Sequence, residues 1–103
     1  MALQRAVSLT DLKEGEITGV EIGEAKIALY LLDGQPLATS DICTHLECPL
    51  SEEGEVIGNQ VHCLCHGSKF DIRTGEVIDP PAQEPLATYP VQVQGEDVFV
   101  DVS

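Results

Sequence analysis

Apolar residues along this chain come in short runs, broken every eight to twelve positions by Gly, Asp or Pro. That rhythm predicts an all-β domain of short antiparallel strands. Residues 3–9 read as a first strand, followed by a turn over 11–15. Residues 17–22 alternate apolar with small or polar side chains, as a half-buried strand does. A tight turn at Gly23-Glu24 leads into residues 26–32, a run rich in β-forming side chains. Asp33-Gly34 is among the strongest short hairpin signals, and residues 35–40 return as the next strand. No segment holds a 3.6-residue period for more than two turns, so little helix is expected.

The texture changes between about residues 41 and 78. Cysteine and histidine occur only there, and the strands shrink to 55–57, 60–63, 69–72 and 76–78, with turns at Gly58-Asn59 and Thr74-Gly75. This stretch reads as a small subdomain organised by a metal centre and inserted in a base formed by residues 1–40 and 79–103. Residues 79–85 contain Pro80, Pro81 and Pro85, which lack a backbone N–H, and should form a stiff loop outside any sheet. The chain closes with a hairpin of residues 86–93 and 98–102 around a turn at 94–97. Val98, Val100 and Val102 fall on one of its faces, with Phe99 and Asp101 on the other.

At 103 residues there is room for one domain with a thin core, and no Trp to fill it. A cross-link or a metal would help such a domain stay folded. The charge balance, 18 Asp and Glu against 5 Lys and Arg, argues against nucleic acid or an anionic membrane as a partner. An acidic surface can simply keep the protein soluble, or steer it toward a partner with a basic docking patch. No stretch resembles a signal peptide or a membrane span, so a cytoplasmic, monomeric protein is expected.

The chemistry concentrates in two boxes, Cys43-Thr44-His45-Leu46-Glu47-Cys48 and Cys63-Leu64-Cys65-His66-Gly67-Ser68. Each holds a mixed pair, Cys43 with His45 and Cys63 with His66, and seventeen residues separate the pairs. Two such loops facing each other supply two thiolates and two imidazoles. That donor set suits zinc, copper or an iron–sulfur centre and not calcium or magnesium. Structural zinc sites usually group like residues as Cys-x₂₋₄-Cys and His-x₃₋₅-His, which these boxes do not. A catalytic Cys–His pair would leave one box unexplained. Cys48 and Cys65 can be two small buried thiols or partners in a bond. His62 precedes Cys63 by one position, so on a strand it points to the opposite face, as a plain surface histidine.

The boxes and their spacing resemble the signature of the Rieske family. The wording Cys-Thr-His-Leu…Cys-x-Cys-His-Gly-Ser is similar to its high-potential members, and the length resembles the soluble ferredoxins serving ring-hydroxylating oxygenases. The fold so implied is an antiparallel β-sandwich or barrel with an inserted rubredoxin-like cluster-binding subdomain. The resemblance implies one [2Fe–2S] cluster, with Cys43 and Cys63 on one iron and His45 and His66 on the other. It also implies a Cys48–Cys65 disulfide and a Ser68 hydroxyl donating to a bridging sulfide. Phe70 stands where high-potential members carry a tyrosine bonded to a ligand cysteine. Leu46 and Pro49 would shield the cluster, although ordinary loop packing would read the same, and Pro80 and Pro81 resemble the family's proline-rich loop against it. The implied function is one-electron transfer, without bond chemistry, from a flavin-dependent ferredoxin reductase to a terminal oxygenase. A non-catalytic subunit of a larger reductase, such as a nitrite reductase, is the competing role, and a zinc-folded module a third. Mixed sulfur and nitrogen ligation makes the centre less anionic than four thiolates would, placing its potential within roughly −150 to +300 mV. With Ser68 present and tyrosine absent, a value above the low end and below the top is expected.

Overall fold

The computed structural model describes residues 3–42, 48–65, 67–79 and 84–102. Eleven strands appear among them: β1 (Leu3–Ser8), β2 (Ile17–Ile22), β3 (Ala25–Leu32), β4 (Gln35–Ser40), β5 (Gly54–Ile57), β6 (Gln60–Cys63), β7 (Lys69–Asp71), β8 (Val77–Asp79), β9 (Thr88–Tyr89), β10 (Val91–Gln94) and β11 (Asp97–Asp101). They form three antiparallel sheets, ordered β1-β11-β10, β2-β3-β4-β9 and β5-β6-β7-β8. A single helical turn, α1 (Leu50–Glu53), precedes β5. The all-β expectation is met, and no helix among the described residues is long and apolar enough to cross a membrane.

Strand β3 explains how the sheets stack. Its side chains alternate between two cores, as the period of two requires. Ile27 and Leu29 join Leu12, Ala38, Val98 and Val100 in one cluster. Ala28, Tyr30 and Leu32 face the other way, into a cluster with Leu50, Val61, Cys63, Phe70 and Ile72. The second sheet is therefore buried on both faces at its centre, which is why residues 27–32 are an unbroken apolar run. Within the second cluster the Tyr30 hydroxyl donates to Thr39 Oγ1 at 2.8 Å, and Thr39 donates on to the Ser40 carbonyl at 2.9 Å. Burial pushes the Tyr30 hydroxyl far above its usual ionisation range. The Thr39 bond opposes that shift, and the nearby Asp41 charge adds to it.

The Asp33-Gly34 hairpin forms between β3 and β4 with both residues at positive φ, 51° and 78°. The Glu14 carboxylate caps it, accepting from the Asp33 and Gly34 N–H groups at 2.9 Å each. Val98 and Val100 are fully buried, as their spacing predicts, while Phe99 is only half-buried.

Several boundaries differ from the sequence expectation. The first strand stops at Ser8, because Leu9–Asp11 wind into a 3-10 turn. Asp79 is not loop. It closes β8 opposite Lys69 and pairs with its ammonium at 3.1 Å. The strand expected over 86–93 divides at Pro90, with Thr88 and Tyr89 pairing with β4 and Val91 onward with β11. Proline has no N–H to continue a ladder, so the chain changes sheets there. Residues 50–53, which show no helical period, form α1.

Candidate metal centre

Strand β6 presents the first of the candidate ligands. Val61 and Cys63 point inward and are fully buried, while His62 lies on the other face, half-buried, with Nε2 3.1 Å from Gln60 Oε1. Cys63 ends the strand opposite Gly54. Its own backbone then closes the second box into a loop. The Cys63 carbonyl accepts from Gly67 N–H at 2.8 Å, and the Cys63 N–H donates to the Ser68 carbonyl at 2.8 Å. Gly67 sits at φ +85°, a conformation that glycine adopts without steric cost. Leu64 N–H reaches across to the Glu53 carbonyl at 2.8 Å, tying the loop to α1. The loop tip faces outward, with Leu64 59% exposed and Cys65 exposed, whereas Ser68 is fully buried.

Around the first box, the flanking residues form a clasp. Ile42 and Pro49 pair in an antiparallel bridge, and the Leu50 N–H donates to the Asp41 carbonyl at 2.6 Å. The Asp41 carboxylate, only 7% exposed, accepts from Ser51 N–H and Ser51 Oγ at 2.7 Å each. Asp41 thereby caps α1 from ten residues upstream, since the N-cap position itself is Pro49 and has no side-chain acceptor. Gly19 on β2 leaves room for this pair: a Cβ there would lie 2.5 Å from Ser51 Oγ. A third closure joins the second box's sheet to the segment at Leu86. Leu86 N–H donates to the Gly75 carbonyl at 2.8 Å, and a Cβ at Gly75 would overlap the Leu86 carbonyl oxygen.

Cys48 and Cys65 form a disulfide. Their sulfurs and that of Cys63 all lie within 4.8 Å of one another, so the bond joins the two boxes directly beside the buried thiol. Phe70, fully buried, packs in the same cluster as Cys63 and Cys48. Of the residues singled out from sequence, Cys43, His45, Leu46, His66, Pro80 and Pro81 lie outside the described residues. Cys48, Cys63, Cys65, Ser68 and Phe70 are brought to one place. Asp41, Ser51 and Gly19 escaped the sequence reading. No local pattern connects them, and only the fold puts them together.

This setting fits a soft-metal centre. Among the described residues, the donors gathered here are sulfurs, held by backbone hydrogen bonds in a largely apolar surround. A buried thiolate in such a place is stabilised by a metal cation.

Comparison with known proteins gives the same assignment. The Rieske [2Fe-2S] domain matches residues 3–90. The biphenyl dioxygenase ferredoxin subunit of Pseudomonas sp. (strain KKS102) is 43% identical, over 100% of this chain and 94% of its own. Among solved structures, the Sphingomonas yanoikuyae B1 ferredoxin superposes with a TM-score of 0.92 at 32% identity, covering 99% of this chain and 100% of that one. The ferredoxin fold also matches in a complex of reduced oxygenase and oxidised ferredoxin of carbazole 1,9a-dioxygenase, at a TM-score of 0.88 and 33% identity over 95% and 100% of the two chains. The chain belongs to the Rieske [2Fe–2S] family, with one Rieske-type cluster as its cofactor, and stands with the ferredoxin components of ring-hydroxylating dioxygenase systems.

Proposed function

We propose that this chain is a cytoplasmic, monomeric one-electron carrier that takes electrons from a flavin-dependent ferredoxin reductase and delivers them to a terminal oxygenase. The observation that carries the reading is the buried Cys63 beside the Cys48–Cys65 bond, in a chain that matches dioxygenase ferredoxins along its whole length. Relatives of that kind favour the free carrier over a subunit of a larger reductase.

Cys43 and Cys63 bind one iron, and His45 and His66 the other. When bound, the cluster supplies a site that gains and loses one electron. The protein's own residues hold it, exclude water and tune it. Residues 41–78 form the cluster-binding lobe on a base of residues 1–40 and 79–103. The clasp at Asp41 and Ser51 ties together the residues that flank Cys43 and His45 in the chain. The Ser68 hydroxyl donates to a bridging sulfide in this reading, which its full burial and its carbonyl bond from the Cys63 N–H support. Leu46, Pro80 and Pro81 cover the centre, and Phe70 packs beneath it without a hydroxyl to donate. The net charge of −13 favours partners with basic docking patches.

Reconstitution tests this directly. The reduced chain, mixed anaerobically with the oxygenase of its own system, should be reoxidised with a one-electron stoichiometry, at a rate that falls steeply with ionic strength. Reoxidation that proceeds equally well at low and high salt would remove the charge-steered docking. Failure of any oxygenase component to accept its electrons would remove the function.

A further inference from the structure

We propose that Cys48, Cys63 and Cys65 become, once the Cys48–Cys65 bond is reduced, a three-thiolate site for a soft divalent metal ion such as zinc. The three sulfurs already lie within 4.8 Å of one another. Thiolates sharing a tetrahedral zinc at about 2.3 Å sit roughly 3.8 Å apart. Small side-chain adjustments therefore bring all three onto one ion.

The backbone that carries them is held from three directions. Cys63 is paired with Gly54 at the end of β6, and Cys65 lies in the loop closed by the Gly67 N–H on the Cys63 carbonyl. Cys48 adjoins the Ile42–Pro49 bridge. Cys48 and Cys63 are buried and Cys65 is exposed. The exposed member gives a reductant access to the bond and leaves a fourth coordination position open to water. Sulfur donors select zinc, cadmium or cuprous ion over magnesium or calcium.

The chemistry balances with a dithiol as the reductant. Its two sulfurs become a disulfide, the Cys48–Cys65 bond takes up the two electrons, and each cysteine sulfur gains a proton. Metal binding then releases the thiol protons. The consequence, though not the site itself, rests on Cys63 being a cluster ligand. Ion and cluster both need that sulfur and exclude each other, so the disulfide keeps this three-sulfur site closed while the cluster is bound.

The full-length Cys43→Ser chain lacks one proposed cluster ligand and retains all three sulfurs. It is titrated with cobalt(II) and then zinc, with and without dithiol treatment, after anaerobic removal of the reductant. The treated chain should bind one cobalt with sulfur-to-cobalt charge-transfer absorption and yield it to one zinc. Omitting the dithiol, or adding Cys48→Ser, should weaken binding by about tenfold or more. Equal binding in all three cases would overturn the site. Should the variant fold poorly, the wild-type holoprotein serves. Zinc and dithiol together should bleach the cluster far faster than either alone, and purely additive rates would overturn the proposal. A colourless wild-type chain would count against the proposed cluster, and the cobalt titration would still decide the three-sulfur site.

Discussion

Replacing Asp41 by alanine should loosen the first box without touching a ligand. The carboxylate is nearly buried and accepts two hydrogen bonds of 2.7 Å from Ser51, which is itself half-buried. A hydrogen bond to a charged group is worth about 1.5–3 kcal/mol, and water reaching the half-buried Ser51 donors recovers part of the two bonds lost. Allowing for partial relaxation, the local loss should be about 2–4 kcal/mol, since the Leu50 N–H to Asp41 carbonyl bond survives the substitution. Because 1.36 kcal/mol is tenfold, opening of residues 48–54 should become about 30- to 1,000-fold more frequent. Hydrogen exchange of the holoprotein, read by mass spectrometry on that peptide, measures it without unfolding the chain. Ser51→Ala removes only the Oγ bond and should give a smaller increase. The two substitutions together should fall short of the sum. An increase below about fivefold in Asp41→Ala, or strict additivity, would refute the clasp.

Gly19→Ala should act on the same peptide from the opposite side, because its Cβ would press on Ser51 Oγ. Overpacking of this kind costs about 1–3 kcal/mol, and exchange unchanged at residues 48–54 would show that the contact yields freely. Phe70→Tyr should raise the midpoint potential by about 40 mV, the one-electron equivalent of a hydrogen bond worth about 1 kcal/mol. A potential unchanged or lowered in voltammetry would mean that the hydroxyl misses the ligand cysteine. Tyr30→Phe should cost about 1 kcal/mol at neutral pH by removing the donor to Thr39. Tyr30 holds its proton in the fold to a higher pH than in the unfolded chain. The stability it lends is therefore complete below about pH 10 and is lost as pH rises through the folded-state value. Urea midpoints should thus fall more steeply above pH 10 in the wild type than in the variant, and parallel curves would contradict this.

The sequence made the all-β fold and the Cys48–Cys65 pairing legible, while Cys43, His45 and His66 lie outside the described residues. The two boxes are local patterns, and Cys48, Cys63 and Cys65 converge as the family resemblance implies. The Asp33-Gly34 hairpin and the Val98–Val100 face were equally plain, since each depends on neighbours one or two residues away. What escaped detection depends on distant partners. Leu50-Ser51-Glu52-Glu53 is too short to show a helical period and has no local side-chain cap, because the carboxylate of Asp41 supplies it. The strand switch at Pro90 is set by which sheet lies alongside, although the proline marks where it happens. Gly19 looks like any strand glycine until Ser51 is placed against it.

The direct test of the cluster's ligand set is pulsed electron paramagnetic resonance of the dithionite-reduced protein, grown with ¹⁵N-labelled histidine. Two strongly coupled imidazole nitrogens, on a rhombic signal from a single unpaired electron, are expected if His45 and His66 hold one iron. A signal without histidine coupling would contradict mixed sulfur and nitrogen ligation, and a colourless protein that carries one zinc and no signal would contradict the diiron centre itself.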